Sequence, residues 1–222
     1  MAKLWIFGDS FAMPLPTDSK FDSWPLQVAR KLGVEASMNF AMPGVSNDYI
    51  FYQLTEHLNS TEKGDFIIIQ TTNKNRQWFF EDPVLCNYNI RDIDKFITKD
   101  QSRALKEYIL HLQKDGLDEV RYLQFSLALE RVVQLMPHAR FLILPGFHQT
   151  HGVEGSLIQV CDSEFVNPDA VTTYYNAHDG KDPRNNHLSR NNHNKLTEKI
   201  IDFFNSGKML DLTVDFEKHF LE

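Results

Sequence analysis

Apolar and polar positions follow two rhythms along the chain. Residues 3–7 (Lys-Leu-Trp-Ile-Phe), 66–69 (Phe-Ile-Ile-Ile) and 140–144 (Arg-Phe-Leu-Ile-Leu) are short apolar runs. They are continuous rather than alternating, which predicts strands buried on both faces. Pro145-Gly146 ends the last of them. A weaker strand is expected at about 34–40 and a fifth at Leu157-Ile-Gln-Val160. Helical periods occupy about 24–32, 46–59, 118–136 and 193–206. In the third, Val120, Leu123, Leu127, Val132 and Leu135 recur near the helical period and predict its buried stripe.

Strands and helices alternating at this spacing imply crossover units. The expected fold is α/β in three layers, α/β/α, around a parallel sheet of about five strands. Ligands of such sheets bind beyond the carboxyl ends of the strands, so chemistry is expected just after residues 7, 40, 69 and 144. Two stretches, about 76–103 and about 146–186, are longer than ordinary connections and are candidate lids or binding loops. Beyond the domain at 1–207, the tail 208–222 carries Met209, Leu210, Leu212, Val214, Phe216, Phe220 and Leu221. It is expected to pack on the domain or on a partner subunit, which leaves an oligomer open.

Composition narrows the function. With 222 residues and a hydrophobic fraction of 42%, the chain suits one sizeable domain. A net charge of −7 argues against a nucleic-acid backbone as partner. Cys86 and Cys161 are too few for a disulfide framework or a thiolate zinc site. No run approaches the roughly 20 apolar residues that span a bilayer. The N-terminus reaches Gly8-Asp9 too early for a secretory signal. The expectation is a soluble cytoplasmic protein, or one assembled into a virus particle, with no membrane partner.

Four polar segments fall at the predicted strand ends. Phe7-Gly8-Asp9-Ser10-Phe11 places a hydroxyl at the first, although the same residues suit a turn with a helix-capping serine. Gly44 precedes a helix and leaves a bare N–H at its positive end, an anion site, unless it is a plain turn capped by Ser46 or Asn47. Asn73 follows the third strand, where its side-chain N–H could meet a developing oxyanion. His187, in a loop before the last helix, is placed to reach toward Ser10.

In that order the residues resemble the SGNH (GDSL-type) hydrolases. Gly8-Asp9-Ser10 matches the first block of the family, with Ser10 at the nucleophile, and Gly44 matches the oxyanion glycine of the second. Thr71-Thr72-Asn73-Lys74 stands where the third block usually reads Gly-x-Asn-Asp and keeps its Asn. His187-Leu188-Ser189 resembles the last block, with His187 as base. The resemblance covers roughly 3–76 and 140–206. It implies a flavodoxin-like sheet, no cofactor, and a serine esterase working through an acyl-enzyme. The oxyanion would be held by the N–H groups of Ser10 and Gly44 and by Asn73. The family's acid lies three residues before the histidine, where this chain has Arg184. Asp182 is the first candidate for the acid and Asp179 the second; a backbone carbonyl would leave a Ser–His dyad.

The expected substrate is a small acyl ester, such as an acetyl group on a carbohydrate. Arg76, Trp78, Phe79, Phe80 and Tyr88 could wall its site, and Arg76 could bind a carboxylate or sugar substituent. The bland alternatives are aromatic packing and a surface ion pair. A metal could draw on His148, His151, His178, Asp179, Asp182, His187 and His193, but no dense ligand motif such as His-Glu-x-x-His is present. A non-catalytic SGNH-like module, binding carbohydrate or built into a phage particle, is the competing function.

Overall fold

The computed structural model describes residues 2–14, 22–79, 98–148, 150, 152–161 and 187–217. Strands β1 (Lys3–Phe7), β2 (Ala36–Asn39), β3 (Phe66–Thr71) and β4 (Arg140–Pro145) form a four-stranded sheet in the order β2-β1-β3-β4. All pairings are parallel, with Trp5 opposite both Met38 and Ile67, and Ile68 opposite Leu142. Each side of β3 meets a layer of helices, and every residue of it is buried, as its unbroken apolar run requires.

Alternation along the strands divides the core. Leu4, Ile6, Ile68, Leu142 and Leu144 face one side, where helices α1 (Trp24–Leu32) and α5 (Arg190–Ser206) supply Val28, Leu196 and Ile200. Trp5, Phe7, Ile67 and Ile69 face the other, against α2 (Asn47–His57) and α4 (Asp115–Leu135). The result is the expected three-layer α/β/α arrangement. The chain leaves β1 for β2 on one side and crosses back to β3 on the other. The crevice between the ends of β1 and β3 is therefore the topological switch point, where such sheets hold ligands.

Three local expectations are corrected. Leu157–Val160 is a turn of 3₁₀ helix rather than a fifth strand, because Ser156 and Gln159 close a capping box around it. Helix α3 (Lys99–His111) overlaps the stretch assigned to a long loop and opens on a second capping box, Thr98 with Gln101. In α4 the buried apolar residues are Phe125 and Leu129, whereas Val120, Leu123, Leu127 and Leu135 are exposed among the described residues. That helix is apolar on more than one side, so its period alone does not say which stripe meets the sheet.

The start of the tail lies on the domain. Leu210–Asp211 (β6) pairs in parallel with Val153–Glu154 (β5), and Leu210, Leu212 and Phe216 are buried in the core on the α1/α5 side. Asn192 clasps it, accepting the Glu217 N–H and donating to Val160 O and Glu217 O. Among the described residues, no helix is long and apolar enough to cross a membrane.

Candidate active site

Ser10 follows β1 in a turn whose backbone is fixed on every side. The Ala12 N–H donates to Asp9 O (3.0 Å) and closes the turn, and Met42 N–H donates to Gly8 O (3.1 Å). The Asp9 N–H is taken by Gln70 Oε1 (2.8 Å), the Phe11 carbonyl by the Trp24 indole (2.8 Å), and the Ala12 carbonyl by Asn39 Nδ2 (2.9 Å). The Asp9 side chain folds over Ser10, accepting the Phe11 N–H at Oδ1 (2.9 Å). The turn itself, the start of α1, the segment 39–42 and the end of β3 thus hold one half-buried serine.

Gly44 stands three residues before α2 with φ of 75°, a conformation that glycine adopts without the strain a side chain would bring. Ser46, rather than Gly44, caps the helix, its Oγ accepting the Tyr49 N–H (3.3 Å). Asn47 in the first turn joins this segment to the end of β3: its Nδ2 donates to Thr72 O (3.1 Å), and its Oδ1 accepts the Thr72 N–H (2.8 Å). The loops carrying Gly44 and Asn73 are therefore tied together. Asn73 Oδ1 accepts the Asn75 N–H (2.9 Å), which commits the oxygen to the loop.

His187 lies on this same rim. Its ring packs against Phe11, centroids 5.0 Å apart, and Phe11 directly follows Ser10. Two anchors set it there: the next residue, Leu188, is buried, and Ser189 caps α5 by accepting the Asn192 N–H. Asp182, Asp179, Tyr88, Phe80, His151 and His178 lie outside the described residues.

His193 has a structural post. It is 1% exposed, and its Nδ1 accepts the Trp24 N–H (3.2 Å), one of the donors that the start of α1 leaves without an intrahelical acceptor. Among the described residues, no group of three or more His, Cys, Asp or Glu could hold a metal ion. His148 rests edge-on to Tyr122 (5.5 Å). Its burial, and then the charge of Lys74, hold its imidazole below the ordinary histidine pKa.

Sequence reasoning missed the network beneath the rim. Asp9 is fully buried and its Oδ2 meets Thr72 Oγ1 (2.5 Å) and Arg76 Nη1 (2.7 Å). Arg76 therefore belongs to a buried ion pair rather than a surface one. The only signal was compositional, a polar Gln70-Thr71-Thr72 run continuing a buried strand.

Beyond Asn73 the chain enters a cavity of about 550 Å³ between α2 and α4, lined among others by Asp48, Trp78, Phe79, Arg121 and Gln124. Trp78 packs edge-on against Tyr49 (5.1 Å) and tilts against Tyr52 (5.4 Å). Burial raises the Asp48 carboxyl above its ordinary range, opposed by the charge of Arg121. A larger cavity, about 790 Å³, runs along β4 past Leu129, Val133, Phe141 and Ile143 and offers mainly apolar walls.

No family model and no curated protein matches the chain. A solved structure that does match is titled "Structure of a putative lipolytic protein of G-D-S-L family from Desulfitobacterium hafniense DCB-2". It shares 14% identity with this chain at a TM-score of 0.38, over 89% of this chain and 97% of that one.

Proposed function

We propose that the protein is a serine esterase that cleaves a small acyl ester. The observation that carries this reading is the meeting of His187 with the Ser10 turn at the β1/β3 switch point, through its contact with Phe11. The loops of Gly44 and Asn73 border the same crevice and are joined by Asn47.

In this reading Ser10 Oγ attacks the ester carbonyl while the neutral His187 imidazole takes its proton. The carbonyl oxygen gains negative charge as the bond forms. The backbone N–H groups of Ser10 and Gly44 and the Asn73 amide nitrogen stabilise it, each such donor lowering the barrier by about 3 kcal/mol. His187 then returns the proton to the leaving alkoxide. Water, activated by the same imidazole, frees the acyl group from Ser10. Asp182 is the proposed partner of the far side of the ring, with Asp179 second.

The acylated carrier would lie toward Trp78. An aromatic face beside Asp48, Arg121 and Gln124 suits an acetylated sugar, whose ring stacks while its hydroxyls find planar polar partners. Tyr88 is proposed to complete that wall.

The test is hydrolysis of a short-chain chromogenic ester by the wild type, Ser10→Ala and His187→Ala. Loss of at least about a thousandfold in kcat with each variant is expected, as when a triad member is removed. Equal rates for wild type and Ser10→Ala would take Ser10 out of the chemistry, and absence of turnover on any ester would favour the non-catalytic module.

A further inference from the structure

One guanidinium nitrogen stands where the loops of the site converge. Arg76 Nη1 donates to Asp9 Oδ2 (2.7 Å) and to Thr72 Oγ1 (2.6 Å), and lies 3.5 Å from Val45 O. Asp9 precedes Ser10, Val45 follows Gly44, and Thr72 precedes Asn73. A single atom is thus in reach of an immediate neighbour of each of the three proposed oxyanion donors. The same guanidinium lies over the Phe147 ring (5.3 Å), Phe147 packs on Phe11 (5.4 Å), and Phe11 packs on His187.

We propose that Arg76 is a positioning residue, one that acts through Asp9 to hold the Ser10 turn in register with the Gly44 and Asn73 loops. This rests on the esterase reading above and goes beyond it. The Asp9 carboxylate is fully buried, where an unpaired charge is costly. With Arg76 beside it, Asp9 stays an acceptor for both the Phe11 N–H and the Thr72 hydroxyl. Without Arg76, the buried Asp9 carboxylate loses its cationic partner and must shift to find another, which loosens the link from Oδ1 across Ser10. Lysine is an incomplete substitute. Its ammonium can meet Asp9, but it has no second arm to stay over the Phe147 ring while its nitrogen serves Asp9 and Thr72.

The consequence falls on turnover. Oxyanion donors act at the position the oxygen reaches in the transition state, so a small shift of the turn weakens them there and leaves ground-state binding nearly as it was. Displacements near 1 Å in such sites cost about 100-fold.

The test measures kcat and KM for a neutral short-chain ester with wild type, Ser10→Ala, Arg76→Met, Arg76→Lys, Asp9→Asn and the Asp9→Asn/Arg76→Met pair. Rates are normalised to sites that react with a fluorophosphonate probe. Arg76→Met should lower kcat about 100-fold with KM within about threefold, and Arg76→Lys should fall between it and wild type. The double variant should be no slower than the slower single, because the pair acts as one unit.

Wild-type kcat per labelled site in the Arg76 variants would overturn the proposal, even if their melting temperatures dropped. So would a loss confined to KM and seen only with an ester that bears a carboxylate, which would make Arg76 a substrate contact. Should Arg76→Met not fold, Arg76→Lys and Asp9→Asn decide the matter by the same split between kcat and KM. A fully active Ser10→Ala would instead remove the esterase reading itself.

Discussion

Gly146 offers a sharp check on how closely the sheet end is built around the site. Its N–H donates to Thr71 O (2.9 Å) at the junction of β3 and β4, and its own carbonyl accepts the Ile158 N–H (2.9 Å). A Cβ at this position would overlap the Thr71 carbonyl oxygen and sit 2.5 Å from Gln70 Nε2. Carbon keeps roughly 3.3 Å from a carbonyl oxygen, so Gly146→Ala must push the end of β3 away by about 1 Å. The obstruction is backbone, which no rotamer change relieves. Overpacking of this kind costs about 3 kcal/mol, which for a chain this long lowers the melting temperature by about 6–12 °C.

The same displacement moves Thr72 and Asn73 relative to Ser10, so the rate on a chromogenic ester should fall about 100-fold in the fraction that stays folded. Thermal unfolding followed by circular dichroism and initial rates below the transition are the two measurements. A variant that melts within about 1 °C of wild type and keeps its rate would refute this account of the β3/β4 junction.

Two further predictions concern the helix α4 face and the amino end of the sheet. Leu129→Ala should destabilise the protein by about 2–5 kcal/mol in urea unfolding, whereas Leu123→Gln should change stability by less than about 0.5, because only Leu129 enters the core; the reverse order would restore the stripe expected from periodicity. Burial alone would push the Asp65 carboxyl up, but the N–H groups of Glu62 and Lys3 and the Trp5 indole, at 2.8–3.0 Å, bring it below its ordinary value. The stability this gives is complete above the unfolded carboxyl pKa of about 3.9 and is lost as the pH falls through the folded value. Asp65→Asn should therefore unfold at lower urea than wild type at pH 7, with the gap narrowing below about pH 4; a gap constant with pH would show that the carboxylate charge contributes nothing.

The elements that could be read from the sequence are those whose pattern has one interpretation. Unbroken apolar runs such as Phe66–Ile69 have no polar face to present to water, so they lie between two layers wherever the chain goes. The helix over Trp24–Leu32 and the strand ends at Ser10, Gly44 and Asn73 follow from equally local signals. Helix α3 and the 3₁₀ turn at Leu157–Val160 are locally signed too, each by a Thr or Ser three residues before a Gln, but the first lacks a strong apolar period and the short apolar run of the second imitates a strand. What local pattern could not contain is which surfaces meet. The exposed stripe of α4 is as apolar as its buried one, and the sheet alone chooses between them. Asp9 and Thr72 read as parts of two separate motifs and Arg76 as a substrate contact or a surface ion pair, because a buried charge is recognisable only by the partner the fold brings to it. Hydrophobic period is a property of neighbours along the chain; charge pairing and the Phe11–His187 contact are properties of distance in space, and the parallel crossovers supply that distance.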